Sequence, residues 1–137
     1  MKVLIVEDSL GLVTVYENII ERIISKVMPE EEVEIVSIVN YNEFVYFRNV
    51  DFDLVILDWN IIGGTSKKII EEGYPKMKYS VFITGYANNK DVQMLSNKFS
   101  IPIISKPTTE FEISMMLEKA IVSINSKCNI CYSIIWS

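Results

Sequence analysis

The sequence predicts an α/β fold, a single doubly wound sheet of five parallel strands with helices on both faces. Three observations carry that prediction. Val3-Leu4-Ile5-Val6 and Leu54-Val55-Ile56-Leu57 are apolar without alternation, as strands covered on both faces are. Strand-like runs alternate with stretches whose apolar residues recur at helical spacing, the pattern of βα units joined by right-handed crossovers. Finally, 137 residues, 50% hydrophobic and 23% charged, suit one globular domain able to bury a substantial core.

The first strand ends in Glu7-Asp8. From Leu10 to Met28 the residues Leu12, Val13, Tyr16, Ile19, Ile20, Ile23, Ile24 and Val27 share a helical face, with Glu17, Glu21, Arg22 and Lys26 opposite. Pro29 stops that helix. Residues 33–39 alternate more, as an outer strand does. Asn40 and Glu43 have capping spacing for a helix containing Phe44, Val45 and Phe47. The central strand opens at Asp53, and Ile61-Ile62-Gly63-Gly64 reads as a flexible loop before a short helix from Thr65 to Glu72, ended by Gly73.

Ser80-Val81-Phe82-Ile83-Thr84 is the fourth strand, and Asn88 opens a helix through Phe99. Ile101-Pro102-Ile103-Ile104-Ser105 reads as a short fifth strand at an edge, because proline cannot donate to a ladder. Thr109 and Glu112 form a capping-box signature for a last helix containing Phe111, Ile113, Met116, Leu117, Ala120, Ile121 and Ile124. The domain is expected over residues 1–124. Residues 125–137 are expected to form a short apolar and aromatic tail, with no effector domain or DNA-binding helix pair within this chain; a stand-alone domain acting by protein contact and a chain that ends before an effector are the two readings.

A net charge of −5 argues against nucleic-acid binding, which needs clustered Lys and Arg. No apolar run approaches the roughly 20 residues that cross a bilayer, and the start is too soon charged for a signal peptide. A cytoplasmic location is expected. Cys128 and Cys131 make a lone C-x-x-C in a chain with no histidine, so one chain cannot close a zinc site, although two could share one. Ordinary thiols are the preferred reading. The tail is expected to pack on its own domain, with packing on a second copy, a homodimer, as the alternative.

All strands of a parallel sheet end at one edge, where open α/β sheets hold their ligands. That edge collects Glu7 and Asp8, Asp58, Thr84 and Lys106. Each has a plain reading: Glu7 and Asp8 a solvated turn, Asp58 the start of another, Thr84 a strand former, Lys106 a surface charge. Together they make a stronger case. Three carboxylates repel unless a cation sits among them, and a hard ion such as Mg²⁺ suits an oxygen set. Adding an ammonium and a hydroxyl yields what phosphoryl transfer to a carboxylate requires.

VLIVEDS at residues 3–9, LVILDWN at 54–60, FITG at 82–85 and Lys106-Pro107 resemble the signature of the response-regulator receiver domain of two-component systems, of the chemotaxis-regulator type. The resemblance spans residues 1 to about 124 and implies a flavodoxin-like (βα)₅ fold. By position it makes Asp58 the phospho-acceptor, Lys106 the phosphoryl contact and Thr84 the switch hydroxyl. Asp8, Asp58 and the Asn60 backbone carbonyl would be metal ligands, with Glu7 acting through water and Mg²⁺ as the cofactor. It implies a histidine kinase or phosphotransfer protein as donor, a downstream protein partner, and a phospho-accepting signalling role in place of turnover as an enzyme.

Two departures stand out. Receivers usually carry an aromatic or His three positions before the lysine, and here that position is the stiff, apolar Ile103. They often carry proline four residues after the aspartate, where this chain has Ile62 and then two glycines. Tyr86 is a substitute for the missing aromatic or a cover for the site. These departures leave a degenerate receiver, a constitutive interaction module, as the alternative. A metal-dependent phosphatase is weaker, because Asn60 stands where a second acid would be needed as proton donor.

Overall fold

The computed structural model describes the backbone of residues 1–136 and the side chains of residues 1–126. Strand β1 (Lys2–Val6) is followed by α1 (Leu10–Val27), β2 (Glu34–Ile38), the short α2 (Tyr41–Phe44) with a 3₁₀ turn, and β3 (Phe52–Leu57). A two-stranded hairpin, β4 (Asn60–Ile61) and β5 (Gly64–Thr65), leads into α3 (Lys67–Gly73). Then come β6 (Met77–Thr84), α4 (Lys90–Phe99), β7 (Ile103–Ser105) and α5 (Glu110–Trp136). The main sheet has the order β2-β1-β3-β6-β7 with every pairing parallel.

The unbroken apolar runs are explained by what covers them. Val3, Ile5, Leu54, Ile56, Val81 and Ile83 face α1 and α5, packing with Tyr16, Ile20, Leu117 and Ile121. Leu4, Val6, Val55, Leu57 and Phe82 face the other way, toward Phe44, Ile69, Ile70, Val92 and Leu95 of α2, α3 and α4. Each alternate side chain thus enters a different core, and burying each stabilises by about 1.5–3 kcal/mol. The more alternating β2 and the proline-preceded β7 are the two edges of the sheet.

Local signals account for most element ends. Ser9 Oγ accepts from Leu12 N–H at the start of α1, Asn40 Oδ1 accepts from Glu43 N–H, and Asn89 Oδ1 accepts from Asp91 and Val92 N–H, so α4 is capped by Asn89 rather than Asn88. Thr109 Oγ1 accepts from Glu112 N–H, but Glu112 Oε2 takes its own hydrogen bond from Thr108 Oγ1, giving half a capping box. Residues 61–64, expected as a flexible loop, form the turn of a laddered hairpin with Gly63 at φ 83°. That left-handed conformation is accessible to glycine and unfavourable for most other residues. The Cys128/Cys131 motif and the packing of the tail lie outside the residues whose side chains are described.

Two predictions arise from the scaffold. A Cβ at Gly73 would lie 2.9 Å from Phe44 Cζ and 2.5 Å from Met77 Cε. Met77 has a flexible end, but Phe44 is enclosed. Overpacking costs about 1–3 kcal/mol and outweighs the helix-propensity gain of at most about 1 kcal/mol, so Gly73→Ala is expected to lower the urea midpoint. An unchanged midpoint would show that Phe44 gives way freely.

Asp53 accepts from Lys2 N–H at 2.8 Å and from Lys78 Nζ at 3.0 Å. Burial pushes its carboxyl up, but these donors more than reverse that and hold it below the usual range. A lowered folded value contributes stability above the unfolded value, lost as pH falls through the folded one. Asp53→Asn should therefore cost about 1 kcal/mol at pH 7 and less at pH 3, measured by urea unfolding at both. An equal cost at both pH values would contradict it.

Candidate functional site

Five of the residues picked out by the sequence meet at the carboxyl edge of the sheet. The pairing of β1 with β3 sets Val6 beside Leu57, and Asp58 N–H donates to the Val6 carbonyl at 2.9 Å, so Glu7 and Asp58 leave adjacent strand ends together. On the other side, Thr84 pairs with Ser105, and Lys106 N–H donates to the Thr84 carbonyl at 2.9 Å. Register therefore delivers two acids and a lysine to one point.

Lys106 Nζ donates to Glu7 Oε2 at 2.9 Å and to Asp58 Oδ2 at 3.2 Å. The second oxygen of each acid takes a backbone donor, Ser9 N–H for Glu7 at 3.1 Å and Trp59 N–H for Asp58 at 2.7 Å. Glu7 is 2% exposed and Asp58 9%, whereas Asp8 is exposed. Burial raises the Glu7 carboxyl above its ordinary range, and the bonds from Lys106 and Ser9 only partly reverse it. Burial alone would lower the Lys106 ammonium, but Glu7 and Asp58 overcome it and hold the proton more tightly than in water.

Carboxylate oxygens of Glu7, Asp8 and Asp58 lie within 4.8 Å of one another. One ammonium against three carboxylates leaves two negative charges. An all-oxygen donor set with that deficit fits a hard divalent cation. Asn60 stands two residues past Asp58, exposed at the start of β4.

Thr84 is fully buried, and its Oγ1 accepts from Tyr86 N–H at 3.1 Å. Ile103 is half-buried on the edge strand β7 and offers no polar group. Tyr86 is 48% exposed, and its backbone is what touches the threonine hydroxyl. Sequence reasoning missed two features. It placed Glu7 among the metal groups, acting through water, and did not anticipate the direct bond from Lys106. It also treated Tyr16 as core only, yet the Tyr16 hydroxyl is buried without a hydrogen-bond partner. A phenol in an aliphatic helix face was the available signal.

No protein-family model matches the chain, and no curated protein matches its sequence. Solved structures do resemble it. A CheY-like response regulator receiver domain protein from Methanospirillum hungatei JF-1 superposes with a TM-score of 0.70 at 19% identity, covering 92% of this chain and 97% of that one. The response regulatory domain of protein mrkE from Klebsiella pneumoniae gives 0.68 at 23% identity over 92% and 99%. The receiver domain of sensor histidine kinase PA1611 from Pseudomonas aeruginosa PAO1, which holds a magnesium ion in its active site cleft, gives 0.63 at 15% identity over 88% and 96%. The chain has the flavodoxin-like α/β fold of CheY-like response-regulator receiver domains. Among the described residues no helix is long and apolar enough to cross a membrane.

Proposed function

We propose that this protein is a cytoplasmic phospho-accepting receiver that takes a phosphoryl group on Asp58 from a histidine kinase or phosphotransfer protein. The observation that carries the reading is the Lys106 ammonium held between Glu7 and Asp58 beside Thr84 at the sheet edge. A free Asp58 oxygen lone pair attacks phosphorus in line while the bond from phosphorus to the donor's leaving group breaks. Lys106 turns from the carboxylates toward the incoming oxygens, and the Thr84 hydroxyl exchanges Tyr86 N–H for a phosphoryl oxygen.

Asp8, Asp58, the Asn60 carbonyl and Glu7 are the groups that would hold Mg²⁺. When bound it supplies charge neutralisation for the phosphoryl oxygens. The chain's own contribution is placement, because each group sits on a strand end fixed by the ladder. The modification is read out as changed protein contacts. A general acid for hydrolytic turnover would have to come from position 60, and the Asn60 amide is far too weak an acid to serve.

The deciding experiment is intact mass after incubation with Mg²⁺ and acetyl phosphate, with EDTA alongside. One added phosphoryl group that depends on the metal is expected. The same mass with and without Mg²⁺, where beryllium fluoride also fails to bind, would overturn the reading in favour of a constitutive interaction module.

A further inference from the structure

The departure after Asp58, Ile62 followed by Gly63 and Gly64, closes the hairpin of β4 and β5, in which Asn60 pairs with Thr65 and Ile61 with Gly64. Antiparallel strands alternate pairs that exchange both backbone hydrogen bonds with pairs that exchange none. At the base of the hairpin Ser66 N–H donates to the Trp59 carbonyl at 2.9 Å, so the next pair, Asn60 with Thr65, is one that exchanges none. The pair after it, Ile61 with Gly64, is bonded. The Asn60 carbonyl is therefore turned to the open edge of β4, away from β5 and two residues past Asp58.

The hairpin is also tied down where the acids are. Ile62 N–H donates to the Val39 carbonyl and Glu7 N–H to the Ile38 carbonyl, each at 3.1 Å. Consecutive carbonyls at the end of β2 thus fix both the hairpin tip and the start of the loop that carries Glu7 and Asp8. Gly63 makes the tip possible, because its φ of 83° is left-handed. A Cβ at Gly63 or Gly64 would meet nothing within 4 Å, so glycine serves the turn there and not the packing. We propose that this hairpin is a positioning element for the cation site, holding the Asn60 carbonyl at the acidic edge before the ion arrives. A backbone carbonyl is aimed by the dihedrals around it, and a loop left loose would pay its ordering entropy on binding. The inference rests on the receiver reading for its metal and adds to it the role of Gly63, Gly64 and the Val39 carbonyl.

Titration of the full chain with Mg²⁺, followed by backbone amide NMR, tests this in wild type, Gly64→Pro and Gly63→Asn, with urea unfolding alongside. Proline cannot hold the φ of 157° at position 64 and has no N–H for the Ile61 carbonyl. The hairpin then opens at an exposed position while both cores keep their side chains. Mg²⁺ affinity should fall about tenfold, as when groups that orient a metal ligand are removed, whereas the urea midpoint should barely move. Asparagine tolerates a left-handed φ, so Gly63→Asn should bind within about twofold of wild type. Gly64→Pro that binds Mg²⁺ as tightly as wild type would overturn the proposal. Equal losses in the two variants would overturn it as well, since turn geometry would then not be what matters. If Gly64→Pro does not fold, Gly63→Val takes its place, because a β-branched residue is strained at that φ. Its affinity should fall about fivefold, and unchanged affinity would again overturn the proposal. A wild type that binds no Mg²⁺ would overturn the receiver reading and this inference together, which separates that failure from one confined to the hairpin.

Discussion

Asp58→Asn is expected to abolish uptake of the phosphoryl group from acetyl phosphate, while Asp51→Asn, altering a side chain 76% exposed, should leave it intact. The amide carbonyl can still accept from Trp59 N–H as Asp58 Oδ1 does, so the loop after β3 keeps its hydrogen bond. What is lost is the nucleophile. An amide oxygen carries no full negative charge to attack phosphorus, and the new NH₂ faces the ammonium that Asp58 Oδ2 now holds at 3.2 Å. Intact mass is the readout, with circular dichroism to confirm folding. An adduct of equal size on Asp58→Asn would place the acceptor elsewhere and sink the assignment.

Lys106→Met should have the next largest effect, on rate and on stability together. Removing one preorganised charge from the transferring group costs about 10²–10³-fold in comparable sites, so acetyl phosphate modification should slow by about that factor. The stability loss follows from the pairs themselves. Methionine fills the space of the lysine stem but leaves Glu7 and Asp58, 2% and 11% exposed at the side chain, without a counter-charge. Breaking a fully buried pair costs about 3–5 kcal/mol. Lys106 is 24% exposed, so water screens part of this and a loss of about 2 kcal/mol is expected. Urea unfolding at pH 7 measures it. A variant as stable as wild type would mean that Glu7 is already compensated by groups other than the lysine.

Much of the architecture was legible because the relevant signals are local. Unalternating runs such as Leu54 to Leu57 require cover on both faces, and the two cores on either side of the sheet supply it. Asn40 and Thr109 announce helix starts through short side chains that bond the next turn. Errors fell where the competing choices are close in energy. Asn88 and Asn89 are equivalent as letters, and only the course of the backbone selected the second. Likewise Gly63-Gly64 permits either a loose loop or a tight hairpin. Backbone pairing of Asn60 with Thr65 and of Ile61 with Gly64 selected the hairpin.

The candidate site divides in the same way. Sequence by itself determined which strands end in acids, a hydroxyl and a lysine, because a carboxylate is expensive inside a buried strand and is pushed to its end. It also determined that those ends share one edge, since parallel strands joined by right-handed crossovers must align them. Only the tertiary structure decided that Lys106 lies between Glu7 and Asp58, that Glu7 is enclosed while its neighbour Asp8 faces solvent, and that the Tyr16 hydroxyl is buried without a partner. Those outcomes depend on ångström-scale distances between residues up to 99 positions apart. Register and side-chain packing set such distances, and neither is encoded in the spacing of residues along the chain.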